Sequence, residues 1–156
     1  MAEKQKQVSD YFSADHLEAI KDIIAKAEKQ TSGEIRVQII MDCDQDLRGK
    51  VHEQAVRDFE KAGMHNTRDK TGILVIVVLN ERKFAIIGDS GIYSKLPQGY
   101  WDNMAKAMSF YFKDGNFHVG ICAVVESIGK QLAKYFPRRG DDVDELTDDV
   151  VVGSGR

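Results

Sequence analysis

The sequence predicts an α/β fold in which a small mixed sheet lies between helical layers. Three observations predict it. Apolar residues switch between three-and-four spacing and alternation in the order α-β-α-β-β-α-α. Residues 72–79 are almost wholly β-branched or leucine, the composition of a central strand covered on both faces. The chain has 156 residues, 42% of them hydrophobic and 30% charged, with only two prolines, which suits one compact core.

Ser13 reads as the N-cap of a helix over residues 14–29, with Asp15 in the first turn, where a negative charge meets the positive end of the dipole. Leu17, Ile20, Ile24 and Ala27 form its apolar stripe, widened by Ile23. Thr31-Ser32-Gly33 breaks the helix. Over residues 34–41, Ile35, Val37 and Ile39 alternate with Arg36 and Gln38, a strand with one well-buried face. An acidic loop follows, Asp42-Cys43-Asp44-Gln45-Asp46. Val51, Ala55, Phe59 and Ala62 return to helical spacing over residues 48–62, and Gly63 fits the position just past the helix end. After a polar loop at residues 64–71 comes the central strand. It turns through Asn80-Glu81-Arg82 into a hairpin partner at residues 83–87. Gly88-Asp89-Ser90-Gly91 ends that strand with two glycines able to adopt positive φ. Helices at residues 99–112 (Trp101, Ala105, Met108, Phe112) and 119–136 complete the domain, and Pro137 stops the last one.

Residues 1–9 read as a polar lead, 10–138 as the domain, and 139–156 as an acidic tail without the apolar content to fold alone. Within it, residues 141–150 hold Asp141, Asp142, Asp144, Glu145, Asp148 and Asp149 with no Lys or Arg and carry −6; the net charge of −3 therefore leaves the other residues near +3. No concentrated basic stripe exists, so nucleic acid is not an expected partner. The longest apolar run, residues 73–79, is too short to span a bilayer. The polar N-terminus shows no secretory signal. Cys43 and Cys122 form neither a disulfide framework nor a CxxC site, so the expected address is the reducing cytoplasm.

If the first strand runs parallel to the second, the hairpin sets the third antiparallel to both. The starts of the first two strands and the end of the third then share one edge. Glu34, the loop of residues 65–69 and Asp89 become neighbours there. The acidic loop of residues 42–46 belongs to the opposite edge, near Asn80.

Four segments carry a family resemblance. They are Thr31-Ser32-Gly33-Glu34-Ile35, Thr71-Gly72-Ile73-Leu74-Val75, the stretch of residues 82–92 ending Gly88-Asp89-Ser90-Gly91-Ile92, and residues 112–121 around Asp114-Gly115-Asn116-Phe117. In this order they resemble the TPM domain, named for its TLP18.3, Psb32 and MOLO-1 members. The resemblance spans roughly residues 10–137. It implies a three-layer αβα sandwich with a central sheet of about four strands. It further implies binding of calcium or similar divalent ions and, from a chloroplast branch, an acid phosphatase activity. Many relatives are exported and membrane-anchored; this chain is expected to be a stand-alone soluble form. It departs from the pattern at the third segment, where many exported relatives carry Gly-Tyr-Gly-Leu-Glu in place of Gly88-Asp89-Ser90-Gly91-Ile92-Tyr93.

The leading candidate site is a divalent-metal site made by Glu34, Asn66, Asp69 and Asp89, with His65 nearby. Hard cations take several oxygen ligands at one point, and Gly88 and Gly91 would let the backbone turn carbonyls inward. Carboxylates crowded without a cation repel, so binding would also order the loops. The alternative is that Asp69 and Asp89 are solvated turn residues and Glu34 pairs with a lysine. Asp42, Asp44, Asp46 and Glu53 have the 1, 3, 5 and 12 spacing of an EF-hand, but Leu47 stands where glycine is required. An exposed acidic connection is the better reading. Asp42-x-Asp44 fails as a haloacid-dehalogenase motif because Asp46 stands where Thr or Val is needed. His16 and His118 lie beside helix starts and read as surface or capping residues. Cys122 reads as a small buried hydrophobe.

These readings predict a calcium-binding domain whose loops the metal orders, acting as an interaction or regulatory module with a protein partner. The enzymatic alternative is a metal-assisted phosphomonoesterase, for which Arg68 and Lys70 are the nearby cations and no catalytic residue is assigned. A third class is an interaction module whose acidic tail contacts a basic partner.

Overall fold

The structure is a computed structural model that describes residues 6–138 and 151–153. Its order begins with helix α1 (Ala14–Glu28), strand β1 (Glu34–Ile40), helix α2 (Val51–Lys61), strand β2 (Gly72–Val78) and strand β3 (Lys83–Gly88). A single-turn helix α3 (Ser90–Tyr93), helices α4 (Gln98–Lys113) and α5 (Phe117–Tyr135), and the three-residue strand β4 (Val151–Gly153) follow. The α/β class with a mixed sheet is therefore as expected.

Three long strands make up most of the sheet. β1 and β2 run parallel with Glu34 opposite Gly72, and β3 returns antiparallel to β2 with Gly88 opposite Ile73. β4 adds a short parallel pairing beside β1, Gln38 to Val151. Residues 139–150 and 154–156, most of the expected acidic tail, lie outside the described residues. At the other terminus, Val8–Asp10 form a 3-10 turn and Val8 is buried, although that segment reads as a polar lead.

The alternation of the strands divides the core. Ile35, Val37, Ile39, Ile73, Val75 and Val77 point to one face, packed with Ile20 and Ile24 of α1, Met108 and Phe112 of α4, and Ile121, Val125 and Leu132 of α5. Ile40, Leu74, Ile76 and Val78 point to the other, against Ala55 and Phe59 of α2. Helices thus cover both faces. Among the described residues no helix is long and apolar enough to cross a membrane.

Two local expectations are corrected. β1 is not half-solvated: Gln38 is buried beneath α2, where its Nε2 donates to Asp58 Oδ2 at 2.9 Å, and Gln54 Nε2 donates to the same oxygen at 3.1 Å. A polar residue on the second face had implied solvent, whereas the covering helix brings its own polar partners. The second correction concerns Gly88 and Gly91. Neither has positive φ; among the described residues the left-handed ones are Gly49, Gly63, Gly115, Lys70 and Arg82. Gly91 lies inside α3, and its small size serves packing: a Cβ there would fall 2.0 Å from the Asp69 carbonyl oxygen. Gly63 does take φ +68 just past α2, as its position predicts.

Candidate functional site

The parallel β1–β2 pair and the β2–β3 hairpin bring three chain segments to one rim of the sheet, as the strand directions predict. At the head of β1, the Glu34 N–H donates to Thr71 O at 3.4 Å. At the exit of β3, the Asp89 N–H donates to Gly72 O at 2.9 Å and the Gly91 N–H to Lys70 O at 2.8 Å. Residues 69–72 are therefore stitched to residues 89–91 by backbone alone.

Asp89 caps α3. Its Oδ1 accepts the Ser90 N–H at 2.7 Å, and its Oδ2 lies 3.3 Å from His65 Nδ1. The Asp89 side chain is 7% exposed and that of His65 53%. A buried carboxylate thus orients an imidazole whose ring edge meets Phe59, centroids 4.7 Å apart, and most of which faces solvent. The loop ahead of β2 is folded on itself. The Thr71 N–H donates to Thr67 Oγ1 at 3.0 Å, and both threonines are buried. The Lys70 ammonium donates to the His65 carbonyl at 2.7 Å.

The four expected ligands do not occupy equivalent places. Glu34 is buried, Asp89 is committed to Ser90 and His65, Asp69 is half-buried and Asn66 is exposed. Among the described residues no group of three or more His, Cys, Asp or Glu side chains is arranged to hold a metal ion. The donor set is nevertheless oxygen-rich, the chemistry hard cations take. It fits such an ion in kind, and not as a preformed cage.

Sequence reasoning missed two rim features. Glu28 is buried and its Oε2 accepts the Ile35 N–H at 2.7 Å, fastening the end of α1 to the head of β1. Its signal was its place four residues after Ile24 on the apolar stripe. The other is the Lys70 ammonium on the His65 carbonyl, which loop composition does not reveal.

The opposite rim is neutralised by arginine. Arg57 bridges Asp44 and Asp46, with Nη1 2.8 Å from Asp44 Oδ2 and Nη2 2.6 Å from Asp46 Oδ2. Hydrogen bonding to Arg57 holds the Asp46 carboxyl below its usual range. Asp42 receives Arg48 at 2.9 Å and the Asn80 amide at 3.0 Å. The loop expected to be an exposed acidic connection is thus ion-paired, and Asp44 is buried. Beside it, burial first and Glu81 second push the Cys43 thiol up to about 12.

A model of the TPM domain matches residues 6–131. The chain belongs to the TPM domain family. Among solved structures, this TPM domain is similar to the BA42 protein of the psychrophilic bacterium Bizionia argentinensis, at 35% identity and a TM-score of 0.83, covering 98% of this chain and all of that one. It shares its fold with the N-terminal domain of a protein from P. gingivalis, at 17% identity and TM-score 0.67 over 84% of each chain. It also shares its fold with the N-terminal domain of the cg2496 protein of Corynebacterium glutamicum, at 15% identity and TM-score 0.59, over 85% of this chain and 86% of that one. No curated protein matches it.

Proposed function

We propose that this TPM domain binds a divalent cation, calcium before others, at the rim formed by residues 63–72 and 89–91. In this reading the ion stiffens the loop ahead of β2 and so changes what that surface offers a protein partner. The observation that carries the reading is the close approach of Asp69 and Gly91, which sets the Asp69 segment against the capped Asp89. Asp69, Asp89 and Asn66, together with loop carbonyls, supply oxygen donors only, which favours a hard ion over a thiophilic one. Glu34 completes the set at the head of β1. Binding requires the loop to rearrange, because the Lys70 ammonium now holds the His65 carbonyl. Both cysteines are free, in keeping with a reducing, cytoplasmic setting.

Calorimetric titration with calcium tests the reading. A saturable heat in the wild type that is lost in Asp69→Ala plus Asp89→Ala supports it. No heat, or an unchanged isotherm in the double variant, overturns it.

One observation favours a second reading, a metal-assisted acid phosphomonoesterase: the Asp89-oriented imidazole of His65 is a positioned proton acceptor. A bound divalent ion would supply charge neutralisation at phosphate oxygens. His65 would carry a proton at Nε2, and Asp89 would fix its ring. Turnover of an aryl phosphate that survives repurification and is lost in His65→Gln supports this reading. Turnover that the variant keeps removes it.

A further inference from the structure

Away from the rim, His16 and His118 stack face to face, with centroids 3.7 Å apart and planes inclined by 9°. Each lies in the first turn of its helix, α1 or α5, where the helix dipole opposes positive charge. His16 has a further commitment. The Ser13 N–H donates to its Nδ1 at 3.2 Å while the His16 N–H donates to Ser13 Oγ at 3.1 Å, a reciprocal capping box. Nδ1 must therefore be a bare acceptor, and the ring proton sits on Nε2. The neighbouring contacts fasten the N-terminal segment to α5: Tyr11 meets Phe117 edge-on at 5.6 Å, and buried Phe12 meets it at 6.3 Å.

We propose that the His16–His118 stack is an acid-sensitive latch that holds the segment of residues 7–16 against α5 at neutral pH and loosens it when the rings are protonated. A proton on His16 Nδ1 turns the acceptor of the capping box into a donor facing a donor. A proton on each ring places like charges face to face at two positive helix ends. The other charged residues of the bordering segments are Lys6, whose ammonium lies 5.6 Å from the Tyr11 ring centroid, with Asp10, Asp15 and Glu18 on the N-terminal side, and Lys113 and Asp114 at the end of α4. Burial, with a smaller contribution from His16, lowers the basicity of His118. A lowered value means that stability is full above the ordinary histidine pKa and is lost as pH falls through the folded value. Parallel ring planes keep the ring nitrogens from converging on one ion, so the pair suits proton sensing better than metal binding.

The test is backbone amide exchange at Tyr11 and Leu17, whose N–H groups bond to Val8 O and Ser13 O, followed from about pH 7 to pH 5 and corrected for intrinsic exchange. The wild type should lose protection as pH falls, by up to about tenfold per pH unit for each proton taken up. His16→Gln, which retains a capping acceptor, combined with His118→Phe, which retains a stacked ring, should show a flat profile. The same loss in both proteins overturns the latch. A second measurement needs no variant: imidazole ¹⁵N shifts of the wild type should place the neutral His16 proton on Nε2. A proton on Nδ1 contradicts the proposal.

Discussion

Gly91 and Asp69 meet so closely that a single methyl group cannot be placed between them, since a Cβ on Gly91 would lie 2.0 Å from the Asp69 carbonyl oxygen and 2.5 Å from that of Lys70. This contact locks the loop ahead of β2 onto the first turn after β3. It is the joint on which the geometry of this rim depends.

Gly91→Ala should therefore cost about 2–3 kcal/mol, because the obstruction is backbone and cannot rotate away. Gly99→Ala is the matched control: nothing lies within 4 Å of its Cβ position, and it sits in the first turn of α4. It should stabilise by about 0.5–1 kcal/mol through the lower entropy of the unfolded chain. Urea denaturation of the two variants checks both signs.

Lys70 Nζ, 2.7 Å from the His65 carbonyl oxygen, is already a cation in the rim. Lys70→Met keeps a long side chain at a left-handed residue and removes the charge. If calcium enters this rim, its affinity should rise about fivefold, the factor that about 1 kcal/mol of relieved repulsion gives. An affinity that is unchanged or weaker would mean that the ammonium does not compete with the ion.

The Arg57 clasp predicts acid behaviour. Asp46 has a lowered folded pKa, so its stabilising contribution is full above the ordinary carboxylate range and is lost as pH falls through the lowered value. The stability difference between wild type and Arg57→Gln should be constant near neutrality and shrink in acid. It should also shrink with added salt, because Asp46 is exposed. Paired denaturation curves across pH measure it.

The two thiols should differ in access. Cys43 is fully buried with a thiol near 12, which leaves about one part in ten thousand as thiolate at pH 8. Mass spectrometry after brief alkylation of the native chain should find Cys43 unmodified, with any label on half-buried Cys122. Cys43 should react once the chain is denatured.

What was legible in the sequence follows from period and direction. The unbroken apolar run of residues 72–79 marked β2, and the short turn at Asn80-Glu81-Arg82 forced β3 antiparallel, which together put Asp89 beside the loop of residues 65–69. What stayed hidden depends on partners far along the chain. Gln38 reads as exposed until α2 supplies Asp58 and Gln54 above it. Gly91 reads as a turn glycine because two glycines around Asp-Ser favour a turn locally, whereas the tertiary approach of residues 69–70 selects a helical turn without a side chain. The same limit applies to the rim: its residues could be gathered from topology, but the Lys70 ammonium could not.

The most direct test of the central claim is a backbone NMR titration of the wild type with calcium. Saturable shifts should concentrate in residues 63–72 and 88–92, with the arginine-clasped loop of residues 42–48 unchanged. Shifts confined to that loop, or no saturable shift anywhere, would contradict it.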